Sequence, residues 1–352
     1  MEKEENFTAR SQMLRCYDAQ TRPYAFRAEN PEDFSAWKKR AREKLSDLLG
    51  LSFMEPCRPS FRVTGETQEP GFRRIRAVLQ TEPEIFMPFY LLVPSGLRKG
   101  EKRPCVLAPH GHGAGGKESV AGVCENPLIA EKVRAGNAYG ADLARLGYVI
   151  FCPDARGSGE RREPHQQGDA PEKIFSCSCD ALSFAAMSLG GSLAGMWTWD
   201  LMRLIDLIQT LPFCDGGRIA CCGFSGGGLQ TLYLTAMDDR VRCAVISGYF
   251  HSFRDCILTT NLCGCNFVPG LWRNMDLCDI AALAAPRPLL IEGGRDDPLN
   301  GQRGLKGADE QFRTLEKAYR LSGKEDRLRR FVFAGGHAWN GAQTGTFLKQ
   351  FL

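Results

Sequence analysis

The chain has 352 residues, 43% of them hydrophobic and 24% charged, with a net charge of +4. This is the composition of a globular protein with one large core or two modest ones. Lys and Arg are interspersed with Asp and Glu, so no basic stripe marks nucleic acid as a partner, and no run approaches the ~18 apolar residues of a membrane span.

The first residues, Met1-Glu2-Lys3-Glu4-Glu5-Asn6, are acidic and lack an apolar signal region, so the expected location is cytoplasmic. Pro31 to Leu49 reads as a helix: Asn30 caps it, Glu32 and Asp33 follow in the first turn, and Gly50 ends it. Phe34, Trp37, Ala41, Leu45 and Leu48 recur at helical spacing. Residues 61–93 suggest two or three antiparallel strands.

From residue 104 strands and helices alternate. The expected order is a strand at Cys105–Ala108, a helix near Tyr139–Leu146, a strand at Tyr148–Cys152 and an amphipathic helix at Trp197–Leu211. On that helix Trp197, Leu201, Leu204, Ile208 and Leu211 form the apolar face, with Asp200, Arg203 and Asp206 off it. There follow a strand into Ser225, a helix through Met237, strands at Val241–Ser247 and Pro288–Ile291, and a helix near Asp309–Leu321. A strand at Leu328–Phe333 and a terminal helix complete the order. Such alternation requires crossovers and a largely parallel sheet.

No repeat, low-complexity tract or linker divides the chain. A single domain over 1–352 is expected, its helix and antiparallel strands over 30–100 leading into a core over 104–352. Residues 155–196 and 249–285 are irregular and longer than ordinary connections. They shape a pocket or pad the surface, with neither role favoured.

Fifteen cysteines in an unsignalled chain read as reduced thiols. Cys105, Cys152, Cys221, Cys222 and Cys243 sit in strand-like runs, where Cys acts as a small hydrophobe. Cys177-Ser178-Cys179 and Cys263-Gly264-Cys265 lack the paired C-x-x-C and His spacing of a zinc site, so no metal is expected.

The chemistry starts at Gly223-Phe224-Ser225-Gly226-Gly227, a G-x-S-x-G between a strand and a helix. In that context a sharp turn can present Ser225 as a nucleophile. A serine hydroxyl needs a base, and the base an orienting acid. Of five histidines, His337 follows the last predicted strand and lies downstream of the acids. His251 is the other downstream histidine, but it precedes every plausible acid. Asp296 and Asp297 end the preceding strand. Asp297, followed by Pro298, is preferred, leaving Asp296 to cap the turn or meet Arg295. Oxyanion donors are expected from the backbone N–H of Gly226 and from the loop His110-Gly111-His112-Gly113, at His112. His110 and His112 are not cast as bases. Asp154 and Arg156 are read as loop braces, and Cys263, Cys265 and Asn266 as candidates to line a pocket.

With these segments the chain resembles the serine α/β-hydrolases, in the bacterial esterase branch related to dienelactone hydrolases and acetyl xylan esterases. Pro153-Asp154-Ala155-Arg156-Gly157-Ser158-Gly159, Trp197-Thr198-Trp199-Asp200, Asp238-Asp239-Arg240-Val241, Cys265-Asn266-Phe267-Val268-Pro269-Gly270-Leu271, Ala285-Pro286-Arg287-Pro288 and Gly335-Gly336-His337 carry the likeness too. The resemblance implies an α/β-hydrolase fold, a mostly parallel doubly wound sheet with helices on both faces, here with an N-terminal helix and hairpin elaboration. It places a triad on Ser225, Asp297 and His337, implies no cofactor, and suggests a small carboxylic ester as substrate, such as an acetylated carbohydrate. Dienelactone hydrolases carry a cysteine nucleophile, so the serine here departs from them. Peptide or amide hydrolysis and carbon–carbon hydrolysis use the same triad, and a non-catalytic binding protein on this fold is the remaining reading. Acyl preference and oligomeric state are not read from the sequence.

Overall fold

The computed structural model describes residues 7–352; the acidic hexapeptide Met1–Asn6 lies outside them. Nine strands form one sheet: β1 (Phe61–Glu69), β2 (Phe72–Glu82), β3 (Ile85–Pro94), β4 (Arg103–Leu107), β5 (Val149–Pro153), β6 (Cys214–Phe224), β7 (Val241–Ser247), β8 (Leu289–Gly294) and β9 (Leu328–Phe333). Their spatial order is β1-β2-β3-β5-β4-β6-β7-β8-β9. The first three strands and their junction with β5 are antiparallel. Every pair from β5 to β9 is parallel. The predicted hairpin region therefore extends the main sheet.

Helices of seven residues or more are α1 (Arg10–Asp18), α2 (Pro31–Leu49), α3 (Tyr139–Arg145), α4 (Cys179–Ser188), α5 (Leu193–Thr210), α6 (Gly226–Met237), α7 (Leu305–Leu321) and α8 (Thr344–Phe351). The α2 boundaries match the sequence reading. The Asn30 side chain accepts from the Asp33 N–H at 2.8 Å, and Gly50 closes the helix in the left-handed region at φ +71°. None of the helices is long and apolar enough to cross a membrane.

The parallel strands read as unbroken apolar runs because both faces of the sheet are covered. Cys105 and Leu107 point into a core shared with α2, α5, α6 and α7, through Trp37, Leu204, Leu232 and Leu315. Val106 and Ala108 point into a second core with Tyr139 and Leu143 of α3 and Phe347 and Leu348 of α8. Cys221 faces the first core, and Ala220 and Cys222 the second. All fifteen cysteines are free thiols, and Cys105, Cys152, Cys221, Cys222 and Cys243 are fully buried.

One helical face differs from its reading. Asp200, expected off the buried stripe of α5, is only 2% exposed. It accepts from Arg156 at 2.9 and 2.8 Å and from Arg161 at 2.7 Å. Its partners arrive from the loop after β5, so periodicity within α5 could not reveal them. Burial alone would raise the Asp200 carboxyl, but the Arg161 and Arg156 charges outweigh it and hold the group at about 2, below the ordinary 3.8. A depressed carboxyl adds stability above its unfolded value and loses it as pH falls through its folded value. Wild type should therefore lose roughly 2 kcal/mol between pH 4 and pH 2 that an Asp200→Asn variant does not lose. Urea unfolding at several pH values checks this, and parallel pH slopes for the two proteins would refute it.

Candidate active site

Ser225 sits between β6 and α6 with φ +56° and ψ −119°, a conformation that costs a non-glycine residue on the order of 1–3 kcal/mol. Neighbouring bonds hold it there: its N–H donates to the Ser247 carbonyl at 2.9 Å, and its carbonyl accepts from Leu229 at 3.0 Å. The flanking glycines let α6 press onto the sheet. A Cβ on Gly223 would lie 2.2 Å from the Gly227 oxygen, and one on Gly227 would lie 2.1 Å from the Pro109 oxygen. Gly227→Ala should thus cost about 1–3 kcal/mol in stability and displace the loop after β4, measured as a lowered urea midpoint. A midpoint unchanged from wild type would show that this contact yields freely.

His337 comes from the loop after β9. Its Nε2 lies 2.8 Å from Ser225 Oγ and its Nδ1 lies 2.7 Å from Asp297 Oδ2. A carboxylate opposite Nδ1 assigns the proton to that nitrogen and leaves Nε2 to accept from the serine hydroxyl. Asp297 is 6% exposed, and its second oxygen accepts from the Leu299 N–H at 2.9 Å. The turn is thus capped by Asp297 itself, a correction to the cap expected of Asp296. Asp296 is exposed, and its backbone N–H ties the loop to Gly335 at 2.9 Å.

The two expected oxyanion donors are also adjacent. Gly226 opens α6, where first-turn N–H groups lack intrahelical acceptors. The His112 backbone nitrogen lies 3.4 Å from where a Gly226 Cβ would stand. The Nδ1 edge of the His112 ring packs against Gly226, and its Nε2 is 3.1 Å from Cys263 Sγ, 3.2 Å from Cys265 Sγ and 3.6 Å from Cys179 Sγ. Cys179 of one C-x-C pair and both cysteines of the other, unremarkable in spacing, thus converge on one imidazole.

Two further histidines, His110 and His251, are buried. His110 donates from Nδ1 to the Gly111 carbonyl at 2.9 Å and accepts from Ala155 at Nε2 at 3.1 Å. His251 is buried, and burial lowers its imidazole to about 4, so it stays neutral near pH 7. Asp154, fully buried, accepts from the Lys117 N–H at 2.8 Å, from Lys117 Nζ at 2.7 Å and from the Glu160 N–H at 3.1 Å. With Arg156 it braces the loop after β5.

Glu292 is the residue that sequence reading passed over. Its carboxylate accepts from Ser247 Oγ at 2.8 Å and from the backbones of Asn340 and Gly341 at 3.0 and 2.9 Å. It therefore fixes the chain just beyond His337. Burial raises its carboxyl above the ordinary range. It was visible only as the end of an apolar run, and nothing local marked its partners.

Beside Ser225 opens a cavity of about 310 Å³, lined by Tyr249, Leu262, Cys263, Asn266, Leu299 and His337 among others. Cys263 and Asn266 reach it, while Cys265 is buried. The irregular segment 249–285 thus walls the cavity, and segment 155–196 contributes α4 and Cys179 behind it.

A Bacillus subtilis (strain 168) protein provisionally named as a hydrolase, YtaP, is 28% identical over 261 residues, 71% of this chain and 77% of its own. Among solved structures, a protein of Bacteroides fragilis NCTC 9343 provisionally named as an acetyl xylan esterase superposes with a TM-score of 0.76 at 19% identity, covering 95% of this chain and 84% of that one. A glucuronoyl esterase from Solibacter usitatus gives 0.64 at 15% identity, covering 94% and 97%. Both share the α/β-hydrolase fold seen here. The Abhydrolase family matches residues 6–335, nearly the whole chain, and the protein belongs to that family.

Proposed function

We propose that the protein hydrolyses small carboxylic esters through an acyl-enzyme on Ser225. The observation that carries this reading is the continuous bonded line Asp297–His337–Ser225, at 2.7 and 2.8 Å, ending on a strained serine beside a cavity. As the Ser225 oxygen attacks the carbonyl carbon, His337 Nε2 takes its proton, and Asp297 stabilises the imidazolium that forms. The Gly226 and His112 N–H groups receive the developing oxyanion, each such donor being worth roughly 10²–10³ in rate. His337 then protonates the leaving alcohol. Water, deprotonated by the same imidazole, attacks the acyl carbon and releases the acid and free Ser225.

A volume of about 310 Å³ is at the small end of the roughly 300–1,000 Å³ of ligand pockets, which favours a short acyl group. The named activities of the two structural neighbours, on acetyl xylan and glucuronoyl esters, support an ester, and an acetylated carbohydrate is the substrate class we favour. A panel of p-nitrophenyl esters of rising acyl length, acetylated xylo-oligosaccharides and aminoacyl arylamides tests the reading. The expected result is highest kcat/KM on acetyl esters, with arylamides far below. Arylamide turnover above ester turnover would replace it with a peptidase reading.

A further inference from the structure

We propose that His112 Nε2 and the sulfurs of Cys179, Cys263 and Cys265 bind one zinc ion, forming a structural centre behind the catalytic serine. All four ligand atoms lie within 4.8 Å of one another. The imidazole nitrogen is 3.1, 3.2 and 3.6 Å from the three sulfurs, and Cys263 Sγ is 3.2 Å from Cys265 Sγ. Zinc bonds of about 2.3 Å to sulfur and 2.0–2.1 Å to nitrogen give a tetrahedron with edges of roughly 3.5–3.8 Å. Those four separations lie within about 0.6 Å of these edges, and the two from Cys179 Sγ to the other sulfurs are no longer than 4.8 Å, so about an ångström of side-chain movement closes the tetrahedron. Three thiolates and one imidazole suit zinc and disfavour magnesium, calcium and manganese, which prefer oxygen.

The surroundings are those of a metal–thiolate site. Asn266 Nδ2 lies 3.7 Å from Cys263 Sγ and 3.6 Å from Cys265 Sγ. The amide is held in that orientation, donating to the Cys263 carbonyl at 3.0 Å and accepting from the Tyr249 hydroxyl at 2.9 Å. An N–H donor facing two sulfurs complements thiolate charge, as outer partners of metal ligands do. Asp180 Oδ1 accepts from the Gly264 N–H at 2.7 Å, tying the Cys263–Cys265 turn to α4, which carries Cys179. Cys179 and Cys265 are buried.

Binding is balanced by proton loss: three thiols release three protons, and the product of Zn²⁺ with three thiolates and a neutral imidazole carries one negative charge. Four protein ligands close the coordination sphere, so the ion holds structure and takes no water to the substrate. What it holds is the His112 backbone at the oxyanion position, the N-terminus of α4 and the turn that walls the cavity. It also occupies the Cys263 thiol, a second nucleophile at the cavity wall.

Elemental analysis of the full-length protein, grown with zinc and purified with a phosphine reductant in non-chelating buffer, tests the site. Wild type and Ser225→Ala should each carry about one zinc per chain, and Cys263→Ser and Cys265→Ser less than about a tenth of that. Because a cysteine variant can fail to fold, metal-free wild type is titrated with Co²⁺ in parallel. Thiolate-to-cobalt charge-transfer and tetrahedral d–d bands should saturate at one equivalent and vanish on adding zinc. Zinc-free wild type without such bands would overturn the proposal, and so would full zinc in both cysteine variants. Metal content is read without turnover, so this outcome is independent of whether Ser225 cleaves esters.

Discussion

Ser225→Ala should lower kcat on an acetyl ester by about 10⁵–10⁶-fold, equivalent to roughly 7–8 kcal/mol of transition-state stabilisation. Without the oxygen that lies 2.8 Å from His337 Nε2, no acyl-enzyme forms. The remaining groups supply only a residual rate, on the order of 10³–10⁴ over water, from oxyanion stabilisation and binding. KM should change little, because the hydroxyl contributes to the reaction more than to holding the ester. Thermal unfolding should stay near wild type, since an alanine backbone still donates to the Ser247 carbonyl and accepts from the Leu229 N–H. Turnover equal to wild type on every ester would remove Ser225 from the mechanism.

The two neighbouring aspartates should behave very differently. Asp297→Asn should lower kcat by about 10⁴-fold, because an amide opposite Nδ1 can donate and so favours the wrong imidazole tautomer. It also removes the negative charge that offsets the imidazolium. Asp296→Asn should leave kcat within about twofold, as for ordinary exposed positions, since Asp296 meets the histidine loop through its backbone. Steady-state kinetics on one acetyl ester separates the pair. A crippled Asp296→Asn with an active Asp297→Asn would reverse the assignment of the acid.

Much of this was legible where a signal is local. Helix α2, strand β7 and strand β9 fall where spacing and caps place them. Ser225, Asp297 and His337 could be grouped from the sequence because each follows a strand of one parallel sheet, and a shared sheet edge turns chain order into spatial proximity, here 2.7 and 2.8 Å between their side chains. What was missed depends on pairs distant in sequence. Asp200 looks like a solvent residue on α5 until Arg156 and Arg161 are brought over it. Glu292 acquires a role only when Ser247 and Asn340 meet it. The cysteines around His112 come from two irregular segments, so no spacing rule for a zinc motif could join them. The C-x-C pairs contain three of the four proposed ligands, and the fourth, His112, lies in the glycine-containing loop after β4, where only its backbone was considered. Helix α4 was missed because the stripe it buries, Cys179, Ser183 and Ala186, is made of small residues that give little apolar signal, while Phe184 is exposed.

The central claim is that Ser225 becomes acylated. Rapid-quench mass spectrometry of wild type mixed with p-nitrophenyl acetate tests it directly. A gain of one acetyl group per chain, mapped to the Ser225 peptide and formed at the rate of the nitrophenolate burst, is the predicted result. Acetyl found instead on Cys263, or no adduct while Ser225→Ala still turns over, would contradict the account.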